Sequence, residues 1–95
     1  MSQLFTATAL EGEIALVTGA SRGIGAAIAA ALADAGATVV GTATSQNGAD
    51  GISESLGDKG RGIVLNVADE ESIKAAVKNV QETEGAPSIL VNNAG

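Results

Sequence analysis

Ninety-five residues with 45% apolar side chains suit one small globular domain rather than a disordered chain. Eleven acidic against five basic residues give a net charge of −6, which opposes binding to nucleic acid or to an anionic membrane surface through charge alone. With neither cysteine nor histidine, there is no disulfide framework, no thiolate or imidazole metal site, and no triad built on Cys or His.

Residues Met1 to Leu10 read as a flexible arm without periodicity, ahead of one domain over residues 11–95. The first basic residue is Arg22, and no apolar run approaches the ~20 residues of a membrane span, so the cytoplasm is the expected compartment. Phe5 is the only aromatic residue, which leaves the core to Ala, Val, Ile and Leu.

Ile14-Ala15-Leu16-Val17 is a continuous apolar run, the pattern of a strand buried on both faces of a parallel sheet. Ile24, Ile28, Ala31, Leu32 and Ala35 recur at helical spacing, with Gly36 as the stop. Ala37 to Gly41 is a second strand, followed by a polar turn at Asn47-Gly48 and a helix over Ala49 to Leu56 that ends at Gly57 and Asp58-Lys59-Gly60. Gly62 to Asn66 is a third strand. Asp69 caps a further helix, with Glu70 and Glu71 favoured in its first turn by the helix dipole. Ile73, Ala76, Val77 and Val80 share one face of that helix, and Glu70/Lys74 and Lys78/Glu82 are i,i+4 pairs on the other. Gly85 and Pro87 end it before a fourth strand, Ser88 to Asn92. The order β-α-β-α-β-α-β, with short connections, implies an α/β fold with parallel strands.

Thr18-Gly19-Ala20-Ser21-Arg22-Gly23-Ile24-Gly25 lies between the first strand and the first helix. A diphosphate needs backbone N–H donors at close range, and a helix N-terminus supplies them with the positive end of its dipole. Gly19 suits the sharp exit from the strand, Gly23 removes a Cβ from the path of a pyrophosphate, and Gly25 lets the helix pack close to the strand. The alternative is that the glycines are turn residues and no more. The spacing lacks the Gly-Lys-Ser/Thr ending of an NTP-binding P-loop, which disfavours ATP hydrolysis.

That turn, taken with Asn92-Asn93-Ala94-Gly95, resembles the short-chain dehydrogenase/reductase family from about Leu10 to Gly95. The resemblance implies a Rossmann-type doubly wound parallel sheet, of which this chain would be the first half only. Ala15 to Gly25, Gly41 to Ser45 and Leu65-Asn66-Val67 are similar to the branch that reduces 3-oxoacyl groups carried on acyl carrier protein. An acyl-carrier-protein-linked substrate, fatty-acid synthesis and a homotetrameric parent are thereby implied. A sugar, alcohol or steroid reductase of the same family, or a non-catalytic nucleotide-binding fragment, is the alternative.

An acid at the end of the second strand commonly holds the ribose 2′-OH of NAD, yet no acid occurs here between Asp34 and Asp50. Gly41-Thr42-Ala43-Thr44-Ser45 offers hydroxyls that suit a 2′-phosphate, and Arg22 at a helix N-terminus calls for an anion, so NADP(H) is the expected cofactor. An exposed solubilising role is the alternative for Arg22. By resemblance, Arg22 and Thr44 meet the 2′-phosphate, Asn66 and Val67 the adenine, and Asn93, Ala94 and Gly95 the ribose and nicotinamide. Gly19, Ser21, Gly23, Ile24 and Gly25 form the phosphate turn. Asn92 and Asn93 could equally tie neighbouring backbones together. Ser88 departs from the Asp usual in the family at that point.

The family's proton-donating tyrosine, its lysine and its serine would all lie beyond Gly95, and this chain has no tyrosine. No catalytic or metal-binding residue is therefore assigned, and the chain alone is expected to be inactive. The outer edge of the fourth strand, Ile89-Leu90-Val91, would be left open for pairing.

Overall fold

The computed structural model describes residues 10–66 and 68–93. Four parallel strands, β1 (Ile14–Val17), β2 (Thr38–Ala43), β3 (Gly60–Val64) and β4 (Ile89–Val91), lie in the order β3-β2-β1-β4. They alternate with α1 (Gly23–Asp34), α2 (Gln46–Leu56) and α3 (Glu70–Thr83), as the sequence implies for half of a doubly wound sheet. The chain steps outward from β1 to β3, then returns to the other side of β1 for β4. Crossovers of one hand place helices on opposite faces of the sheet when the direction of winding reverses.

The two faces are packed accordingly. On one, α1 and α2 bury Ala29, Leu32, Ala33, Ile52 and Leu56 against Ala15, Val17, Val39 and Ala43. On the other, Val80 of α3 packs with Leu16 and Val40, flanked by Ile14, Ile63 and Val77. Arg61 on β3 joins Glu84, just after α3, through a 2.7 Å ion pair that is partly shielded from solvent. The Glu84 hydrogen bond raises the Arg61 pKa above its ordinary value, against the opposing effect of burial.

Several boundaries differ from the sequence expectation. Asn47-Gly48 lies inside α2, not in a turn, because Ser45 caps the helix with its Oγ accepting from the Gly48 N–H at 3.1 Å. Leu56 is followed by a single 3-10 turn, Gly57–Lys59. Strand β3 begins at Gly60, not Gly62, and β2 runs on to Ala43 because Thr42 and Ala43 pair with Ile63 and Val64. The glycines of β3 belong to the sheet for a packing reason. A Cβ at position 62 would stand 2.1 Å from the Ala49 carbonyl oxygen, so glycine is what lets α2 lie directly on the strand.

Helix α1 also turns differently. Gly25, Ala29, Leu32 and Ala33 are buried, whereas Ile24 is 73% exposed and Ala31 is exposed. The small residues face the sheet because the helix must come close at Gly25, which rotates Ile24 outward. Asp69 caps α3 as expected, its Oδ1 accepting from the Glu71 N–H at 3.0 Å. Glu70 and Lys74 pair at 3.7 Å, while among the described residues Lys78 and Glu82 form no ion pair.

The arm expected over Met1 to Leu10 lies outside the described residues except at Leu10. There the N–H donates to the Ala35 carbonyl at 2.8 Å, and the side chain packs on the α1 side of the core. Ser88 anchors the start of β4: its N–H donates to the Ile14 carbonyl at 2.8 Å and its Oγ accepts from the Ile14 N–H at 3.1 Å.

Two glycines predict opposite responses to the same substitution. Gly51 lies mid-helix in α2 with nothing within 4 Å of an added Cβ, so Gly51→Ala should raise stability by about 0.5–1 kcal/mol through helix propensity. Gly62→Ala should lower it by roughly 1–3 kcal/mol, because the backbone of Ala49 stands in the way. Urea midpoints of the two variants measure this, and a Gly62→Ala midpoint at or above that of the parent would contradict the packing.

Candidate functional site

The reversal of strand order between β1 and β4 opens a crevice at the carboxyl ends of the strands, the general location for ligands in open α/β sheets. It measures about 300 Å³. Gly19, Ser21 and Arg22 of the turn before α1 form one wall, Thr42, Ala43 and Thr44 at the end of β2 form another, and Leu65 and Asn93 close it. No acidic side chain is among these lining residues, and Arg22 supplies their only formal charge.

Hydrogen bonds between strand ends hold the walls. Thr18 N–H donates to the Val91 carbonyl at 3.0 Å, and Thr18 Oγ1 donates to Asn92 Oδ1 at 3.3 Å while accepting from the Asn93 N–H at 2.9 Å. The Asn93 side-chain amide donates to the Gly19 carbonyl at 3.2 Å. Both asparagines are exposed. The backbone-tying role left open for the asparagines is thus present at Asn93, which also borders the crevice, whereas the Asn92 side chain meets the Thr18 hydroxyl.

Gly19 and Gly23 both take φ of +64°, a conformation that glycine adopts without strain. A Cβ at Gly23 would meet nothing within 4 Å, so the space above the first turn of α1 is open. A Cβ at Gly25 would lie 2.1 Å from the Gly19 carbonyl oxygen. Gly23 therefore faces open space and Gly25 faces protein. Helix α1 has no acidic residue in its first turn, and no side chain caps it. An anion would find amide donors, a guanidinium and no repelling carboxylate, so the crevice suits a phosphate-bearing ligand.

Not every expected residue lines the crevice. Gly23, Ile24 and Gly25 border the turn without lining it. Asn66 is exposed and its Oδ1 accepts from the Ala68 N–H at 3.0 Å, which closes a local turn. Val67, Ala94 and Gly95 lie outside the described residues. Of the three hydroxyls expected to face a 2′-phosphate, Ser45 serves as the α2 cap, and Thr42 is 2% exposed with Oγ1 accepting from the Gly19 N–H at 3.2 Å. Only Thr44 remains exposed at the rim with Arg22. Sequence reasoning missed Leu65 as a wall and Thr18 as the hub of the strand-end bonds. The threonine between β1 and the first glycine was the available signal for the second.

Comparison with known proteins bears on the same residues. The short chain dehydrogenase family matches residues 13–95. The chain is 64% identical over 86 residues to the 3-oxoacyl-[acyl-carrier-protein] reductase of Vibrio harveyi, covering 90% of this chain and 35% of that protein. The enzymes of the same description from Haemophilus influenzae and Escherichia coli are 57% and 59% identical, each over 90% of this chain and about 35% of their own length. The chain thus spans about a third of the curated relatives it matches.

The glycine geometry predicts a graded effect on folding. Gly25→Ala forces a Cβ against a backbone carbonyl and should cost at least 1–3 kcal/mol. Gly23→Ala should cost roughly 1–2 kcal/mol, from the left-handed backbone conformation alone. Denaturant titration of both variants checks the order. Equal losses would show that contact with the Gly19 carbonyl is not what excludes a side chain from position 25.

Proposed function

The chain belongs to the short-chain dehydrogenase family, and on that premise we propose that it is the cofactor-binding part of an NADPH-dependent reductase. The parent enzyme reduces 3-oxoacyl groups on acyl carrier protein to 3-hydroxyacyl groups in fatty-acid synthesis. The observation that carries the reading is that Arg22 and Thr44 both line a crevice with no acidic lining residue. Relatives at 57–64% identity named as 3-oxoacyl-[acyl-carrier-protein] reductases support it further.

In this reading, Arg22 and Thr44 hold the 2′-phosphate, and the turn over Gly19, Ser21, Gly23, Ile24 and Gly25 meets the pyrophosphate with N–H donors and the helix dipole. Asn66 and Val67 flank the adenine. Asn93, with Ala94 and Gly95 after it, flanks the ribose and nicotinamide. When bound, the cofactor supplies the hydride that reduces the carbonyl. Residues of the parent outside this chain donate the proton, since the chain contains no tyrosine. Among the described residues, no helix is long and apolar enough to cross a membrane. A cytoplasmic homotetramer is the parent's proposed state.

The cofactor assignment predicts a switch of preference. In the parent enzyme, Arg22→Ala should weaken NADPH binding by about 1.5–3 kcal/mol, the scale of a charge-assisted hydrogen bond, and leave NADH binding nearly unchanged. Thr44→Asp should shift preference toward NADH by repelling the 2′-phosphate and accepting from a ribose hydroxyl. Binding constants for the two cofactors decide it, and equal affinity for both in the unmodified parent would refute the NADP assignment.

A second outcome concerns turnover. The 95-residue chain alone should consume no NADPH with an acetoacetyl thioester, because loss of positioned acid–base groups alone commonly costs ~10²–10⁴ in rate. Absorbance loss in material of verified mass measures it, and turnover above buffer would relocate the chemistry into this segment.

A further inference from the structure

We propose that Thr42 is the positioning residue of the phosphate turn: it fixes two successive amides of the turn and thereby sets affinity for the dinucleotide as a whole, without selecting between NADPH and NADH. The proposal rests on the reading of the crevice as a dinucleotide site.

Thr42 stands on β2 one residue beyond Gly41, which pairs with Val17 at the end of β1. It is therefore the first β2 residue past the paired length of β1, level with the point where the chain leaves that strand. Two bonds cross the gap. The Gly19 N–H donates to Thr42 Oγ1 at 3.2 Å, and the Ala20 N–H donates to the Thr42 carbonyl at 2.8 Å. Gly19 has φ of +64° and no Cβ, so nothing in its own side chain restrains the peptide planes on either side of it.

The burial of Thr42 argues that its hydroxyl is there for this bond. Only two polar residues are buried among those described, Thr18 at 6% and Thr42 at 2% exposed, and both serve the strand ends around the crevice. Position 42 is a strand site where valine would have nearly the same shape without a polar group to bury. The hydroxyl is thus retained against a burial cost, and the Gly19 N–H is the donor that offsets it.

Fixing these amides also bears on the donors that follow. The next residues, Ser21 and Arg22, line the crevice and lead into α1. A turn free to rotate at Gly19 would present them in many orientations, and ordering them on binding would weaken every dinucleotide equally. Arg22 and Thr44, in contrast, meet a group that only NADPH carries.

The test uses the parent enzyme with Thr42→Val and Thr42→Ser. Thr42→Val should raise the KM for NADPH and for NADH by the same factor, roughly 3- to 10-fold for one lost neutral hydrogen bond, with kcat at saturation changed less than the KM. Thr42→Ser should recover most of the loss. Amide hydrogen exchange at Gly19, which needs no cofactor, should be faster in Thr42→Val than in the parent or Thr42→Ser. A folded Thr42→Val that binds both cofactors as tightly as the parent overturns the proposal, as does a loss confined to NADPH. If the parent binds neither dinucleotide, the functional reading falls and takes the affinity role with it. Unchanged exchange at Gly19 in a parent that does bind overturns the positioning alone.

Discussion

The contact on which the rest of the structure depends is the approach of α1 to the end of β1. A Cβ at Gly25 would lie 2.1 Å from the Gly19 carbonyl oxygen and 2.7 Å from the Asn93 side-chain nitrogen, so helix, strand end and β4 meet with no room to spare. The buried stripe of α1 is consequently made of small residues, Gly25, Ala29 and Ala33, together with Leu32, while the half-buried Ile28 packs at its margin. A core with so little bulk gains modestly from each buried side chain and relies on closeness, which is why glycine recurs where α1 and α2 meet the strands. Gly41 faces Ile52, and Gly62 faces Ala49.

The same economy is less complete on the opposite face. There Leu16, Val40 and Val80 form a small buried cluster, while Leu90 is 68% exposed and Ile73 of α3 is 38% exposed. Polar links do part of the work that apolar area does on the α1 side. Arg61 reaches both Glu84 and Asn79, joining the β3 edge to the end of α3 with a planar fork that suits two acceptors at once. The crevice lies at the strand ends between these two unequal faces, and its walls come from segments both sides of β1 hold in place.

Much of this was legible in the sequence, and what was not has identifiable causes. Continuous apolar runs gave β1 and β4 nearly to the residue, and Asp69 marked the start of α3, because in each case local pattern and packing agree. The glycine turn announced the crevice, since strand, turn and helix follow one another in sequence. The misplacements occur where tertiary contact overrides local chemistry. Asn47-Gly48 has the composition of a turn, yet the cap at Ser45 and the buried Ala49 draw it into α2. Gly60 reads as a turn residue and instead opens β3, where a Cβ would stand 2.0 Å from the Val39 carbonyl oxygen of the neighbouring strand. Ile24 has the apolarity of a core residue, but the demand at Gly25 sets the rotation of the helix and leaves it exposed. The roles of Thr18 and Thr42 depend on partners 23–75 residues away, beyond what spacing along the chain can express.

Arg22 shows how a local cost becomes informative once the fold is known. A cation at a helix N-terminus is disfavoured by about 0.3–1 kcal/mol at an exposed position, and among the described residues Arg22 has no carboxylate partner to offset this. The strand-end bonds of Thr18, Thr42 and Asn93 hold the turn that carries Arg22, which lines the crevice together with Thr44. The protein thus keeps a positive charge at the positive end of a dipole, above amides left uncapped by any side chain. An acidic chain of net charge −6 has carboxylates enough to cap that helix and neutralise that arginine, and it places none in the wall. No carboxylate among the lining residues offsets the Arg22 charge at this opening. A multiply charged phosphate ligand relieves this arrangement better than a neutral or cationic one, and it does so by satisfying the helix amides and the guanidinium in the same event.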